Sequence, residues 1–494
     1  MHSLLDLGGD VPYVVHDKDF DTAVHAVVER VFLRKGENGL EPPPEPTTLH
    51  DLDLIEIFHT LGSTTHTGPP MTDSQFLDCY GGRRRVVYEQ AVKSLYVKPI
   101  SRADAFIDFF VKAEKADAGA KIPVPRAIQP RAPRYNVCVG KYLKPREHDV
   151  YRAIDRMWAN GASVVCKGKN AVERASILRE RWESLTDPVA VFLDVSRFDQ
   201  HVSYMALKLE HLVYERLYPG DETLRELLKW QLVNRGFFRS RAGKFKYKVR
   251  GRRMSGDMNT AMGNVILMCC MMLHWVRRSG VRATIADDGD DCCLFVERAD
   301  LALVEGGPCP IIPFFKGMGF TLKVEGSTDV FERIIFCQSQ PVYDGERWVM
   351  VRGLHCLDKD RLSVYPVIGE KHWAQLRAAI AGCGLALAGN MPVFGAYYDM
   401  LGRGVTPTRS DVLNTGMDYL ARGMKGVRRE PTSECRLSFW RAFGIVPEVQ
   451  RAIEEVYDST TVDYCVIRPD EDKTKDSYLI VPEAIDYLRS SKRE

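Results

Sequence analysis

The sequence predicts an α+β fold, and three observations carry that expectation. Short apolar strands bearing acids, PVAVFLDV and TIADDGDDCCLFV, lie in the middle third. A long apolar helical stretch separates them, and helical periodicity dominates from about residue 354 onward. With 494 residues, 45% hydrophobic and 27% charged, the chain has the composition of a soluble globular protein, which excludes fibrous and wholly disordered classes. The length corresponds to roughly three domain-sized units.

In chain order, LEPPPEPTT (40–48) excludes helix and reads as an extended connector, with the residues before it as a small appendage. Residues 38–82 contain no Lys or Arg. After Arg83, RRRVVYEQAVKSLY and ADAFIDFFVKAEKA have helical patterns, and KIPVPRAIQPRAPRYN reads as an extended, exposed basic loop. Next come the strand PVAVFLDV, a long helix after Ser203, a β-like run KFKYKVRGRR, an apolar helix from about Met258 to Arg278, and a hairpin around Asp288-Gly289. The last third reads as mainly helical: HWAQLRAAIAGCG, SDVLNTGMDYLARGM, CRLSFWRAFG and PEVQRAIEEVY.

The net charge of +2 conceals strong segregation. Residues 112–146 hold nine basic side chains against Glu114 and Asp117. Residues 235–253 hold nine and no acid, interleaved with Phe237, Phe238, Phe245 and Tyr247. Such patches suit phosphate chains, with a solvated surface as the plain alternative. Thirteen cysteines without a Cys-x-x-Cys fit a reducing compartment and no structural zinc. The longest strongly apolar run, residues 265–273, is about half the roughly 18 residues a membrane span needs.

Three constellations carry chemistry. In FLDVSRFDQ an apolar strand delivers Asp194 and, five positions on, Asp199, although an Asp that merely starts a turn is common. In TIADDGDDCCLFV four acids crowd one turn, and their repulsion calls for water or a hard divalent cation such as Mg²⁺ or Mn²⁺. In RRMSGDMNTAMGN a loop of Ser255, Gly256 and Asp257, with an N-cap, precedes Thr260 and Asn264 on one helical face. That polar stripe needs hydrogen-bond partners in the protein or in a ligand.

Together, and in this order, these strings resemble the RNA-dependent RNA polymerases of positive-strand RNA viruses. SRFDQHVS, MSGDMNTAMGN and GDDC are especially similar to those of the tombusvirus family, including carmovirus-like and umbravirus-like replicases. The resemblance implies a right-hand polymerase: an N-terminal extension (1–82), fingers (83–189, with 204–253), a palm with an antiparallel sheet (190–342), and a helical thumb and tail (343–494). It implies that Asp194 and Asp290 bind two Mg²⁺ ions, replaceable by Mn²⁺, with Asp291 supporting them as a metal-site acid. Asp199 and Asn264, with Ser255, Gly256 and Thr260, match the segment that senses the ribose of the incoming nucleotide. Lys115, Arg126 and Arg131, with Lys112 and Arg134 beside them, match the basic motif that grips the triphosphate. Lys323 matches a lysine thought to protonate the leaving pyrophosphate, and FERIIFCQSQPV resembles the segment supporting the primer end. Asp288 departs from the pattern by adding a charge immediately before Gly289.

The implied partners are template RNA, the nascent strand, NTPs and a separate or upstream viral membrane-anchoring protein. The implied location is the host cytoplasm, in membrane-associated replication complexes, with the chain standing alone or as part of a longer readthrough or frameshift product. A metal-dependent phosphohydrolase or nuclease would use the same acids without needing Thr260 and Asn264, and an RNA-binding structural protein would leave the acids unexplained. Gly382-x-Gly384 opens a dinucleotide-binding fingerprint, but Leu387 stands where a small residue is required, so helix packing is the better account.

Overall fold

Period-two alternation in PVAVFLDV makes a strand whose two faces enter different cores. In the computed structural model, Pro188–Val195 lies inside a four-stranded antiparallel sheet of order Ala283–Asp287, Asp291–Glu297, Pro188–Val195, Leu322–Thr328. The structure describes residues 1–464 except 6–12, 37–38, 120–122, 160–161, 407–416 and 418–419; residues 465–494 also lie outside the description. Much of the helix expected from SDVLNTGMDYLARGM and the whole acidic and basic tail therefore fall outside the described residues.

Val189, Val191 and Leu193 join the largest core, which contains the apolar helix Thr260–Ser279. Ala190 and Phe192 face the other way, into a core shared with the helices Ala171–Glu183, Gly369–Ala388 and Phe394–Gly402. Thr260–Ser279 is the one described helix long and apolar enough to cross a membrane, although the run from 265 to 273 read as too short. Most of it is buried among protein side chains, as befits a central core helix. It stops at Gly280, whose φ of +72° is a left-handed helix end.

The N-terminal residues are woven into the body, where the sequence suggested an appendage. His2–Ser3 pairs with Leu362–Ser363, and Tyr13–Val14 pairs with Ala116–Asp117. The helix Leu52–Thr64 turns its stripe of Leu54, Ile57, Phe58 and Leu61 into the main core. ADAFIDFFVKAEKA is a second departure: after a short 3₁₀ turn it forms the strands Ile107–Asp108, Phe110–Val111 and Ala116–Asp117. Ile107, Phe109 and Val111 all point inward, a period of two that overrides the helical reading. From residue 123 the proline-rich loop is extended as far as Ala132, after which Pro133–Leu143 is helical with Pro at its first turn, where no amide hydrogen is required.

The last third is mainly helical as expected, with a hairpin, Ser339–Tyr343 with Trp348–Arg352, at its start. Gly384 lies within the helix Gly369–Ala388, where a β-carbon would strike the Tyr398 ring, so it serves close helix packing.

Candidate active site

The sheet register builds the acidic site. Asp194 lies directly opposite Asp291 on one side and Lys323 on the other. Directly opposed residues of antiparallel strands have β-carbons about 4.5–5.5 Å apart. Ser196 donates a hydrogen bond to Asp194 at 3.1 Å. Asp290 sits at the tip of the tight turn between Asp287 and Asp291, after Gly289, whose φ of +104° suits a residue without a β-carbon. The turn is therefore centred on Gly289-Asp290, one residue later than the Asp288-Gly289 signal suggested.

Water reaches the Asp290 and Asp291 side chains, yet protein crowds them closely. This crowding, reinforced by Asp291 and then Asp199, pushes the Asp290 carboxyl up to about 6. Asp291 is raised by the same kind of crowding, with Asp288 and Asp194 adding repulsion and a Cys337 hydrogen bond opposing it. Acids that resist ionisation in the free protein gain most from a cation.

Asp288 does not add an unpaired charge beside them. Its carboxylate meets Arg174 at 2.8 Å and Lys167 at 3.2 Å, and the Lys167 ammonium also donates to the Asp288 carbonyl oxygen at 2.7 Å. Asp287 is wholly buried, accepts the Gly289 amide hydrogen at 3.1 Å, and is raised by desolvation well above the usual carboxylate range. Lys167 and Arg174 escaped the sequence reading, since no pattern connects them to a hairpin more than a hundred residues away.

The chain reverses after Asp194 through Arg197, which adopts left-handed geometry (φ 50°, ψ 53°) and meets the Glu29 carboxylate at 3.3 Å. This turn brings Asp199 to the helix Thr260–Ser279. Asn264 donates to Asp199 Oδ1 at 3.0 Å, and the Ser255 hydroxyl donates to Asp199 Oδ2. Gly256 has φ +132° and passes so close to Pro130 that a β-carbon would be crowded at 3.1 Å. The hairpin tip completes the site, because a β-carbon on Gly289 would touch that of Asn264 at 3.4 Å. Thr260 donates back to the Met254 carbonyl oxygen at 3.1 Å, bracing the loop. The helix N-cap is Asn259, and Asp257 turns away to pair with Arg131.

The basic loop divides into committed and available cations. Arg131 is buried, with its guanidinium shared among Asp257, Asn234 and the Ala105 carbonyl oxygen. Arg134 is likewise occupied by Asp104, Ser94 and two carbonyl oxygens. Lys115 donates to the Lys359 carbonyl oxygen, and burial lowers its ammonium to about 8. Arg126 is exposed and holds Glu114 only loosely at 3.5 Å, while Lys112 meets the same carboxylate at 3.0 Å. Of the five, Arg126 and Lys112 are placed to meet a solvent-borne phosphate.

The second basic run forms a hairpin, Val233–Arg239 with Lys244–Arg250. Phe238, Phe245 and Tyr247 turn inward against Phe109, and Phe238 and Phe245 also meet Phe20, so Phe237 alone among the four interleaved aromatics shares the outer face. On that face Arg235 opposes Lys248 and Arg239 opposes Lys244, with Lys246 and Arg250 exposed beside them. Like charges directly across strands repel. Such a ladder is complementary to a polyanion.

Among the described residues, no three His, Cys, Asp or Glu side chains form a ready-made metal cage. Mg²⁺ does not require one, because it retains water and substrate phosphates and takes only one or two carboxylates. The hard oxygen donors of Asp194, Asp290 and Asp291 on adjoining strand positions fit that chemistry.

A family profile described as viral RNA dependent RNA polymerase matches residues 2–464. The RNA-directed RNA polymerase of Tobacco necrosis virus (strain A) is 41% identical over 461 residues, covering 92% of this chain and 63% of the relative. That of Melon necrotic spot virus is 41% identical over 474 residues, covering 94% and 59%. That of Turnip crinkle virus is 39% identical over 465 residues, covering 92% and 59%. The chain thus spans about three fifths of the length of these curated relatives. With the profile extending over nearly the whole described chain and the acids of the central sheet joined in register, the chain belongs to the viral RNA-dependent RNA polymerase family.

Proposed function

We propose that the chain catalyses template-directed RNA synthesis from NTPs for replication of a positive-strand RNA virus. The observation that carries this reading is the convergence of the Asp194/Asp291 cross-strand pair, the Asp290 tip, and the hydrogen-bonded Ser255–Asp199–Asn264 set on one hairpin. A nuclease would need the first two features but not the third.

In this reading the right-hand parts are fingers at 83–189 and 204–253, a palm at 190–342 and a thumb beyond 343. Asp194 and Asp290 hold two Mg²⁺ ions, Mn²⁺ substituting, with Asp291 in support. When bound, such ions activate a primer hydroxyl and stabilise the leaving pyrophosphate. The residues of the chain do the rest. Asp199 and Asn264 present an acceptor and a donor to the ribose. Arg126 and Lys112 meet the triphosphate, and Lys323, beside Asp194, is placed to hold a proton for the departing pyrophosphate. The protein operates in the host cytoplasm, in membrane-associated complexes, through a separate or upstream anchoring partner. The test is incorporation of labelled NTPs on a defined RNA template with Mg²⁺; product that forms without template would defeat the reading.

The cationic ladder serves in this reading as the track for RNA. Replacing Lys244, Lys246 and Lys248 together with Ala should weaken RNA binding and flatten the dependence of log affinity on log salt by about 2, roughly 0.7 for each lost single-strand phosphate contact. An unchanged slope in filter-binding titrations at several salt concentrations would remove the ladder from the RNA path.

A further inference from the structure

We propose that the buried ion pair of Arg253 and Glu210 is a positioning device that anchors the amide oxygen of Asn264 and so keeps its nitrogen aimed at Asp199, and through it sets the preference for a ribose over a deoxyribose. The inference rests on the ribose-sensing role assigned above to Asp199 and Asn264.

Both side chains of the pair are completely shielded from solvent, and their charged groups meet at 2.5 Å. A fully buried pair gains little stability over well-packed apolar residues, since desolvation consumes most of the Coulomb attraction. This one also leaves Arg253 Nη1 without a partner. Its presence is better explained by what it orients. Arg253 Nε donates to Asn264 Oδ1 at 3.0 Å. A guanidinium can only donate, so the amide oxygen of Asn264 must face Arg253 and its nitrogen must face Asp199, to whose Oδ1 it donates at 3.0 Å. The second hydrogen on that nitrogen and the remaining lone pairs of Asp199 then offer one donor and one acceptor, the complement of a hydroxyl group.

The pair is itself held on several sides. Glu210 Oε1 accepts from the Tyr214 hydroxyl at 2.7 Å and from Asn259 Nδ2 at 2.6 Å, and Asn259 exchanges amide hydrogen bonds with Gln231. The Arg253 amide hydrogen is donated to the Asp199 carbonyl oxygen at 2.9 Å, tying both ends of the relay to one backbone contact. Gly263, immediately before Asn264, makes room: a β-carbon there would collide with the Glu210 carboxylate and the Arg253 guanidinium. Without Arg253 the Asn264 amide oxygen loses the donor that anchors it, and the side chain is then free to turn away from Asp199, so the donor to the sugar is lost.

The test compares kcat/KM for UTP and dUTP on one RNA template. The double variant Arg253→Met/Glu210→Met removes both charges, so neither is left buried and alone. It should fold with a lowered melting temperature, since the Tyr214 hydroxyl and the Asn259 amide lose their acceptor, and still incorporate UTP, while the UTP/dUTP ratio falls at least about tenfold, the scale of one oriented hydrogen bond. Gly263→Ala, which displaces the pair while keeping its charges, should lower the ratio in the same direction and decides the matter should the double variant fail to fold. Wild-type ratios in the double variant and in Gly263→Ala, beside a lowered ratio in Asn264→Ala, would overturn the positioning role and leave the ribose site intact. A wild-type ratio in Asn264→Ala itself would overturn the ribose reading, and this inference with it.

Discussion

Asp290→Ala should reduce template-directed incorporation of NTPs at least about a thousandfold while leaving the protein folded. The side chain stands at the tip of a hairpin, where water reaches it. Its neighbours Asp291 and Asp199 repel it, so removing the carboxylate relieves strain in the metal-free protein. Loss of activity with unchanged or raised melting temperature would thus locate Asp290 in the chemistry. Persistent product in Asp290→Ala would show that the acids of this hairpin do not hold the reacting metals.

A pH signature follows from the same group. Its carboxyl is raised from 3.8 to about 6 in the folded protein, so the native state holds this proton more tightly than the unfolded chain does. The stabilisation is fully present below about 4 and is lost as pH rises through about 6. His201 and His211 act in the opposite sense, since burial lowers each to about 4 and their protonation on acidification favours unfolding. The informative quantity is therefore a difference. The melting temperature of metal-free wild type minus that of Asp290→Asn should fall between pH 5 and pH 7.5, modestly because water reaches the carboxylate. Mg²⁺ should reverse the trend in wild type alone, because it binds the ionised form. A difference that stays flat across this range would mean that Asp290 carries no raised affinity for its proton.

What the sequence disclosed and what it hid differ in physical kind. Asp194, Asp199, Asp290 and Asn264 were legible because each stands at a fixed offset within a short periodic string, and local periodicity survives folding. The strand Ile107–Asp108 was hidden because its neighbours also match a helical period and only pairing with Val233–Arg239 decides between the two. Lys167 and Arg174 were hidden because neutralising Asp288 is a tertiary event. The inward turn of Phe238, Phe245 and Tyr247 was hidden in a different way: composition shows a basic run with aromatics, but only strand alternation separates the cationic face from the one that enters the core.

Charge alone also could not distinguish Arg131 from Arg126, and here the two differ most in expected effect. Arg131 and Asp257 are both shielded from solvent, and the guanidinium additionally reaches Asn234 and the Ala105 carbonyl oxygen. Arg131→Ala leaves the Asp257 carboxylate buried without its counter-charge, which costs about 3–5 kcal/mol of stability. It also frees the loop that presents Ser255 to Asp199, so activity and melting temperature should fall together. Arg126 is exposed and only loosely paired, so Arg126→Ala should shift stability by no more than about 0.5 kcal/mol. Its expected effect is on substrate: a raised KM for NTP, which the proposed contact with the triphosphate requires. Denaturant unfolding and steady-state kinetics of the two variants decide the division. If Arg131→Ala unfolds like wild type but loses affinity for NTP, the buried guanidinium must swing out to the substrate during the reaction, and its pairing with Asp257 is a resting arrangement.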